Sequence, residues 1–166
     1  MRDSSVKRNR GSRARRELID RLSLAIRASQ NTSEAFDDKV ADRLGINRTD
    51  LRCLDILNQR GGAMTAGQLA EAMHLTSGAI TTLLDRLEAA GYARRVRDTD
   101  DRRRVLVELT PLTEQSVYPL YEPLFQGSIE LLKDRSDEEL QVMIDFLERG
   151  REMVEKEIEQ LERKAD

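Results

Sequence analysis

Apolar side chains recur with a helical period along most of the chain and with a strand period in one short stretch. From about Arg15, Leu18, Leu22 and Ile26 repeat every four residues, and Phe36, Val40 and Leu44 resume the repeat. The polar stretch Ser29 to Ser33 between them predicts a kink or an exposed turn, and Gly45 ends the segment. Asn47, with Asp50 three residues on, predicts a helix start, and Leu51, Leu54, Ile56 and Leu57 carry that helix to Gly61-Gly62. Thr65 to Gln68 has capping-box spacing and opens a short helix with Leu69, Ala70 and Met73 as its buried stripe. After a turn at Leu75, Thr76 caps a further helix. Its apolar face is Ile80, Leu83, Leu84 and Leu87, and Gly91 stops it.

The period then changes. Tyr92 to Arg97 and Arg104 to Leu109 read as strands, with Val105, Val107 and Leu109 alternating against Arg104, Leu106 and Glu108. Asp98 to Arg103 is polar turn material, so the two strands form a hairpin with a charged tip. After Thr110-Pro111 the helical pattern returns through Val117, Leu120, Tyr121, Leu124 and Ile129. Pro119 and Pro123 are expected to kink this helix or delay its start. Ser136 to Glu139 is a second capping box. It opens a long helix with Leu140, Met143, Ile144, Leu147, Val154, Ile158 and Leu161, whose near-heptad spacing predicts another helix packed against it.

The fold class that follows is mostly α with a small β-hairpin wing: a winged helix-turn-helix with flanking helices. In such a motif the second helix lies in the major groove with its N-terminal residues near base edges. Here that helix offers Ser77, Gly78, Ala79, Thr81, Thr82 and Asp85 opposite its apolar face. These small and hydroxyl side chains allow close approach, and their methyl groups can meet thymine.

Charge sharpens this reading. The net charge of −3 over 166 residues points away from nucleic acid when taken alone. Yet residues 1–16 hold seven Lys/Arg against one Asp, and residues 94–104 hold six Arg against three Asp. Residues 134–166 are strongly acidic. A basic face and an acidic end are therefore separated along the chain. A hairpin tip carrying Arg97, Arg102, Arg103 and Arg104 suits the minor groove, where the potential favours arginine. The interleaved Asp98, Asp100 and Asp101 are expected to hold particular arginines in place.

Other classes recede. No apolar run approaches the roughly 18–20 residues of a membrane span, and the basic N-terminus lacks the apolar stretch of a secretory signal. One cysteine and one histidine are too few for a zinc site of His/Cys ligands or for an internal disulfide, so a cytoplasmic address is expected. Cys53, between Leu51 and Leu54, reads as a core thiol, and His74 as a helix-end residue. Asp37-Asp38 and Glu138-Glu139 have no accompanying nucleophile or histidine. No catalytic residue, metal or cofactor is expected.

Asp101-Arg102-Arg103-Arg104-Val105-Leu106-Val107-Glu108-Leu109-Thr110 matches every fixed position of Asp-x-Arg-x-x-x-Val/Leu-x-Leu-Thr. That pattern resembles the wing of MarR-type transcription factors, which are winged-helix homodimers. Ile80 to Gly91 resembles the recognition helix of the same family. With the flanking helices, the resemblance extends from about residue 15 to 164. It implies that Asp101 and Arg103 form a wing salt bridge and that Arg103 or Arg102 reaches the minor groove. It further implies that Thr76, Ser77, Ala79, Thr81 and Thr82 face the major groove and that Arg86 lies near phosphate. The first and last helices, through Leu18, Leu22, Leu147, Val154, Ile158 and Leu161, are implied to build the dimer. A small-molecule effector, where one acts, is implied to bind between those helices and the DNA-binding lobe.

The expected organisation is a disordered basic arm (1–14), an N-terminal dimerisation helix (15–46), the DNA-binding lobe (47–110) and C-terminal dimerisation helices (111–166). The expected function is a ligand-responsive repressor that binds a pseudo-palindromic operator on double-stranded DNA as a homodimer. The competing expectation is a winged-helix interaction scaffold that does not read DNA.

Overall fold

The computed structural model describes residues 3–61, 63–99 and 101–163, with side chains from Arg13 onward except that of Glu162. Expectations for residues 1–2, Gly62, Asp100 and residues 164–166 fall outside the described residues. The chain divides into two compact units, Met1–Leu120 and Tyr121–Asp166.

The first unit opens with α1 (Asp3–Leu44), a 42-residue helix. Two expectations are corrected here. Residues 3–14, expected as a disordered arm, belong to this helix, which Arg13 and Glu17 support with an ion pair one turn apart at 3.1 Å. The stretch Ser29 to Ser33 is neither a turn nor a break. The Thr32 hydroxyl donates to the Ala28 carbonyl at 3.0 Å, so the side chain satisfies itself on the helix rather than competing with it.

Helix α2 (Arg48–Gln59) starts where Asn47 accepts a hydrogen bond from the Asp50 N–H at 2.9 Å. A three-residue strand β1 (Ala63–Thr65) precedes α3 (Ala66–Met73), and α4 (Ser77–Ala89) follows. Strands β2 (Ala93–Arg97) and β3 (Val105–Leu109) form the hairpin. The sheet order is β1-β3-β2, all antiparallel, with Arg95 opposite Val107 and Met64 opposite the same residue on the other side. The sequence pattern does not show β1, which is too short to have a period of its own.

The core lies beneath this sheet. Leu54 and Leu57 of α2, Leu69 of α3, Ile80, Leu83, Leu84 and Leu87 of α4, and Val107 of β3 are all buried. Burial of such side chains is the main drive to fold the lobe, at about 1.5–3 kcal/mol each. Val105, the first residue of β3 after the hairpin tip, is exposed.

The prolines act as expected on helix start. Helix α5 (Pro111–Ser116) ends at Val117, and α6 (Tyr118–Leu132) begins anew with Pro119 in its first turn and Pro123 inside it. In the second unit, α7 (Asp137–Arg163) is opened by the predicted box: Ser136 Oγ accepts from the Glu139 N–H at 3.2 Å, and Glu139 accepts from the Ser136 N–H at 3.0 Å. Among the described residues no helix is long and apolar enough to cross a membrane, and no cluster of His, Cys, Asp or Glu could hold a metal ion.

Candidate nucleic-acid interface

The helix pair α3–α4 is built by local capping. Thr65 Oγ1 accepts from the Gln68 N–H at 3.2 Å, while the Gln68 side-chain oxygen accepts from the Thr65 N–H at 2.8 Å. Helix α3 closes on His74, whose φ of 54° is left-handed, a conformation histidine tolerates better than most residues. The turn then delivers Thr76, whose hydroxyl oxygen accepts from the Ala79 N–H at 3.3 Å and starts α4. His74 is thus a backbone corner.

On α4, Ile80, Leu83, Leu84 and Leu87 are buried, whereas Ser77, Gly78, Ala79, Thr81 and Thr82 are exposed. The polar face expected to meet DNA is therefore open to solvent on one side of one helix. Thr81 and Thr82 donate their hydroxyl hydrogens to the carbonyls of Ser77 and Gly78, at 2.8 and 3.1 Å.

Arg86 has a partner inside the lobe and stays half exposed. Its Nε and Nη2 bind the two carboxylate oxygens of Asp50 at 3.1 and 2.5 Å. Asp50 is only 2% exposed, while the Arg86 side chain keeps 46% of its surface. The hydrogen bonds to Asp50 hold this guanidinium above its ordinary pKa. Its chief partner is a carboxylate of α2, and the pair ties α2 to α4. Sequence reasoning makes Asp50 a cap alone. The available signal is its spacing, four and seven residues before Leu54 and Leu57, which sets it on the apolar face.

The wing is fixed to α4 at its base. Glu88 accepts from the Arg95 N–H at 2.7 Å with one oxygen and pairs with the Arg95 guanidinium through the other. Asp85 Oδ1 reaches the same guanidinium nitrogen at 2.9 Å. Partial burial opposes the charge on Arg95, but Asp85 and Glu88 outweigh it and hold the pKa above its ordinary value. The two strands are closed at the base by Thr110, whose hydroxyl donates to the Gly91 carbonyl at 2.6 Å, and by Thr113, whose hydroxyl donates to the Tyr92 carbonyl at 2.5 Å. Arg94 and Glu108, directly opposite across the strands, pair at 3.2 Å.

At the tip, Asp101 Oδ1 accepts from both the N–H and Nε of Arg103, at 3.1 and 3.2 Å. The guanidinium stays out in solvent, with the side chain 93% exposed. Asp98 pairs with Arg104 at 3.5 Å, and the Arg104 carbonyl accepts from the Asp98 N–H. Arg97 and Arg102 are exposed, and among the described residues neither has an ion-pair partner. The acidic residues described at the tip thus orient two arginines and leave these two to solvent.

The residues expected to dimerise are not brought into any core. Leu18, Leu22, Leu147, Val154 and Leu161 are exposed and Ile158 is half-buried. Leu124, Phe125 and Ile129 of α6 and Val142, Met143 and Phe146 of α7 are exposed as well. Cys53, by contrast, is fully buried, and its thiol is pushed up to about 12, by burial first and by the nearby Asp50 charge second.

A capped two-helix turn, a polar-faced second helix and an arginine-tipped hairpin braced against it define a winged helix-turn-helix. The MarR family model matches residues 46–105, from just before α2 to the first residue of β3. The HTH-type transcriptional regulator YcgE of Bacillus subtilis is 37% identical over 126 residues, covering 76% of this chain and 81% of its own. PecS of Dickeya dadantii, also an HTH-type transcriptional regulator, is 30% identical over 104 residues, covering 61% of this chain and 63% of its own. Among solved structures, a MarR family protein from Bacillus stearothermophilus superposes with a TM-score of 0.63 at 23% identity, over 83% of this chain and 96% of its own. A point mutant of MepR from a multidrug-resistant S. aureus clinical isolate gives 0.66 at 21% identity, over 80% and 96%. The chain belongs to the MarR family. It is a DNA-binding transcriptional regulator of the helix-turn-helix type.

Proposed function

We propose that the protein binds a pseudo-palindromic operator as a homodimer and represses transcription until a small molecule shifts it. The observation that carries this reading is the Asp85–Arg95–Glu88 junction, which holds α4 and the wing in one orientation, fit to meet adjacent grooves. Ser77, Ala79, Thr81 and Thr82 face the major groove in this reading, and Arg102 and Arg103 the minor groove, with Arg97 and Arg104 against the backbone. Thr76 contributes through the cap it makes. Arg86 acts through Asp50, with its exposed edge toward phosphate.

Two-fold pairing through the exposed rows of α1 and α7 supports the dimer, since so much open apolar surface is costly in water. It would set the two recognition helices about one DNA turn apart, roughly 34 Å. A ligand acts in this reading by favouring one spacing of the two lobes over another. The test is a titration of duplex DNA from the gene's own promoter at low salt, with protein and with the Arg102→Ala, Arg103→Ala double variant. Specific binding that the double variant loses supports the reading. Absence of any specific shift, or an unaffected double variant, would overturn it in favour of an interaction scaffold.

A further inference from the structure

We propose that Thr81 and Thr82 are specificity-determining residues that recognise thymine through its 5-methyl group, so that the operator is read in the major groove largely by apolar contact. This rests on α4 entering that groove, as proposed above.

The charged groups of α4 are already committed. Ser77–Ala89 contains no Lys, Asn or Gln. Its one arginine, Arg86, is held by Asp50, and its carboxylates Asp85 and Glu88 are held by Arg95. The side chains that read guanine or adenine by paired hydrogen bonds are therefore missing from the helix or occupied elsewhere.

What remains exposed is chemically narrow. The only hydroxyl hydrogen of Thr81 goes to the Ser77 carbonyl, and that of Thr82 to the Gly78 carbonyl. Neither hydroxyl can then donate to the acceptors that purines and thymine O4 present. Each can still accept hydrogen bonds, and each carries a γ-methyl group. The back-bond also selects one of the two rotamers threonine uses in a helix, so the methyl is positioned before DNA arrives. Of the groups on the floor of the major groove, the thymine methyl is the apolar one.

The test compares binding to the same promoter duplex made with thymine and with uracil, which lacks only the methyl. The protein, Thr81→Ser, Thr82→Ser and the corresponding valine variants are each measured on both, with folding checked by circular dichroism. The expected result is a loss of about fourfold per methyl contact on uracil DNA, as burial of one methylene group suggests. The serine variants should show the same loss on thymine DNA and little further loss on uracil DNA, while the valine variants bind as the parent does. Equal binding to the two duplexes, or weak binding by a folded valine variant, overturns the inference while leaving DNA binding intact. Failure to bind even the thymine duplex specifically overturns the DNA-binding reading and this inference with it.

Discussion

Asp50 and Arg86, 36 residues apart, meet in a two-point contact that joins the first helix of the lobe to its recognition helix. The contact is lopsided, because the carboxylate is buried and the guanidinium is half in water. Removing one partner therefore differs from removing the other. Arg86→Ala strands a buried charge and should cost about 3 kcal/mol, whereas Asp50→Ala frees an arginine that water can solvate and should cost about 1–2 kcal/mol. The double variant should be less damaged than the two losses added together. Urea unfolding at one fixed protein concentration measures all three, and an Asp50→Ala loss equal to or above that of Arg86→Ala would contradict the account.

Arg102 carries its charge at the wing tip without an ion-pair partner among the described residues. Arg102→Ala should weaken binding to the operator more than to unspecific duplex and reduce the slope of log affinity against log salt by about one. Asp101→Ala should do something else. It releases Arg103 without removing any positive charge, so unspecific binding should hold or rise while the preference for the operator narrows. Fluorescence anisotropy over a salt series separates the two patterns.

Leu18 and Leu22 lie one turn apart on the exposed row of α1. Leu18→Glu with Leu22→Glu should give a monomer at micromolar concentration by sedimentation equilibrium, since two-fold symmetry places each charge in the interface twice. Operator affinity should fall by roughly a hundredfold, because the second lobe no longer binds as part of the same molecule. A double variant that remained a dimer would move the interface away from this row.

Cys53 sets an alkaline limit. Its thiol is raised from an ordinary value of 9.0 to about 12. Below pH 9 the folded and unfolded chains both keep the proton, and stability is unaffected by this group. Between pH 9 and 12 the unfolded chain ionises while the folded one does not, so stability falls by up to about 1.4 kcal/mol per pH unit. Cys53→Ala should lose that slope. Ellman's reagent should react with native protein at about pH 8 far more slowly than with protein unfolded in guanidinium.

The features legible in the sequence are the helix caps, whose hydrogen bonds close within three residues, and the β2–β3 hairpin, whose alternating strands flank one short polar turn. Asn47 with Asp50, Thr65 with Gln68, Thr76 with Ala79 and Ser136 with Glu139 all form as their spacing predicts. Partners distant in the chain are not legible. Strand β1 exists because Ala63, Met64 and Thr65 pair with Glu108, Val107 and Leu106, far along the chain. The family resemblance implies that Arg86 lies near phosphate, but the carboxylate that meets it, 36 residues earlier, cannot be read from the sequence. The start of α1 is hidden for another reason. A helix with few apolar residues has no stripe, and residues 3–14 look unstructured on that absence alone.

Arg95 has a consequence for how this lobe could be exchanged between relatives. Because its backbone and guanidinium are both gripped by Glu88, and Asp85 grips the latter again, the hairpin does not end at its own strands. A transplanted tip would arrive without the two carboxylates that aim it. The smallest portable reading head is thus residues 76–113: the helix cap, the two acidic grips, the hairpin and the threonines that lock its base.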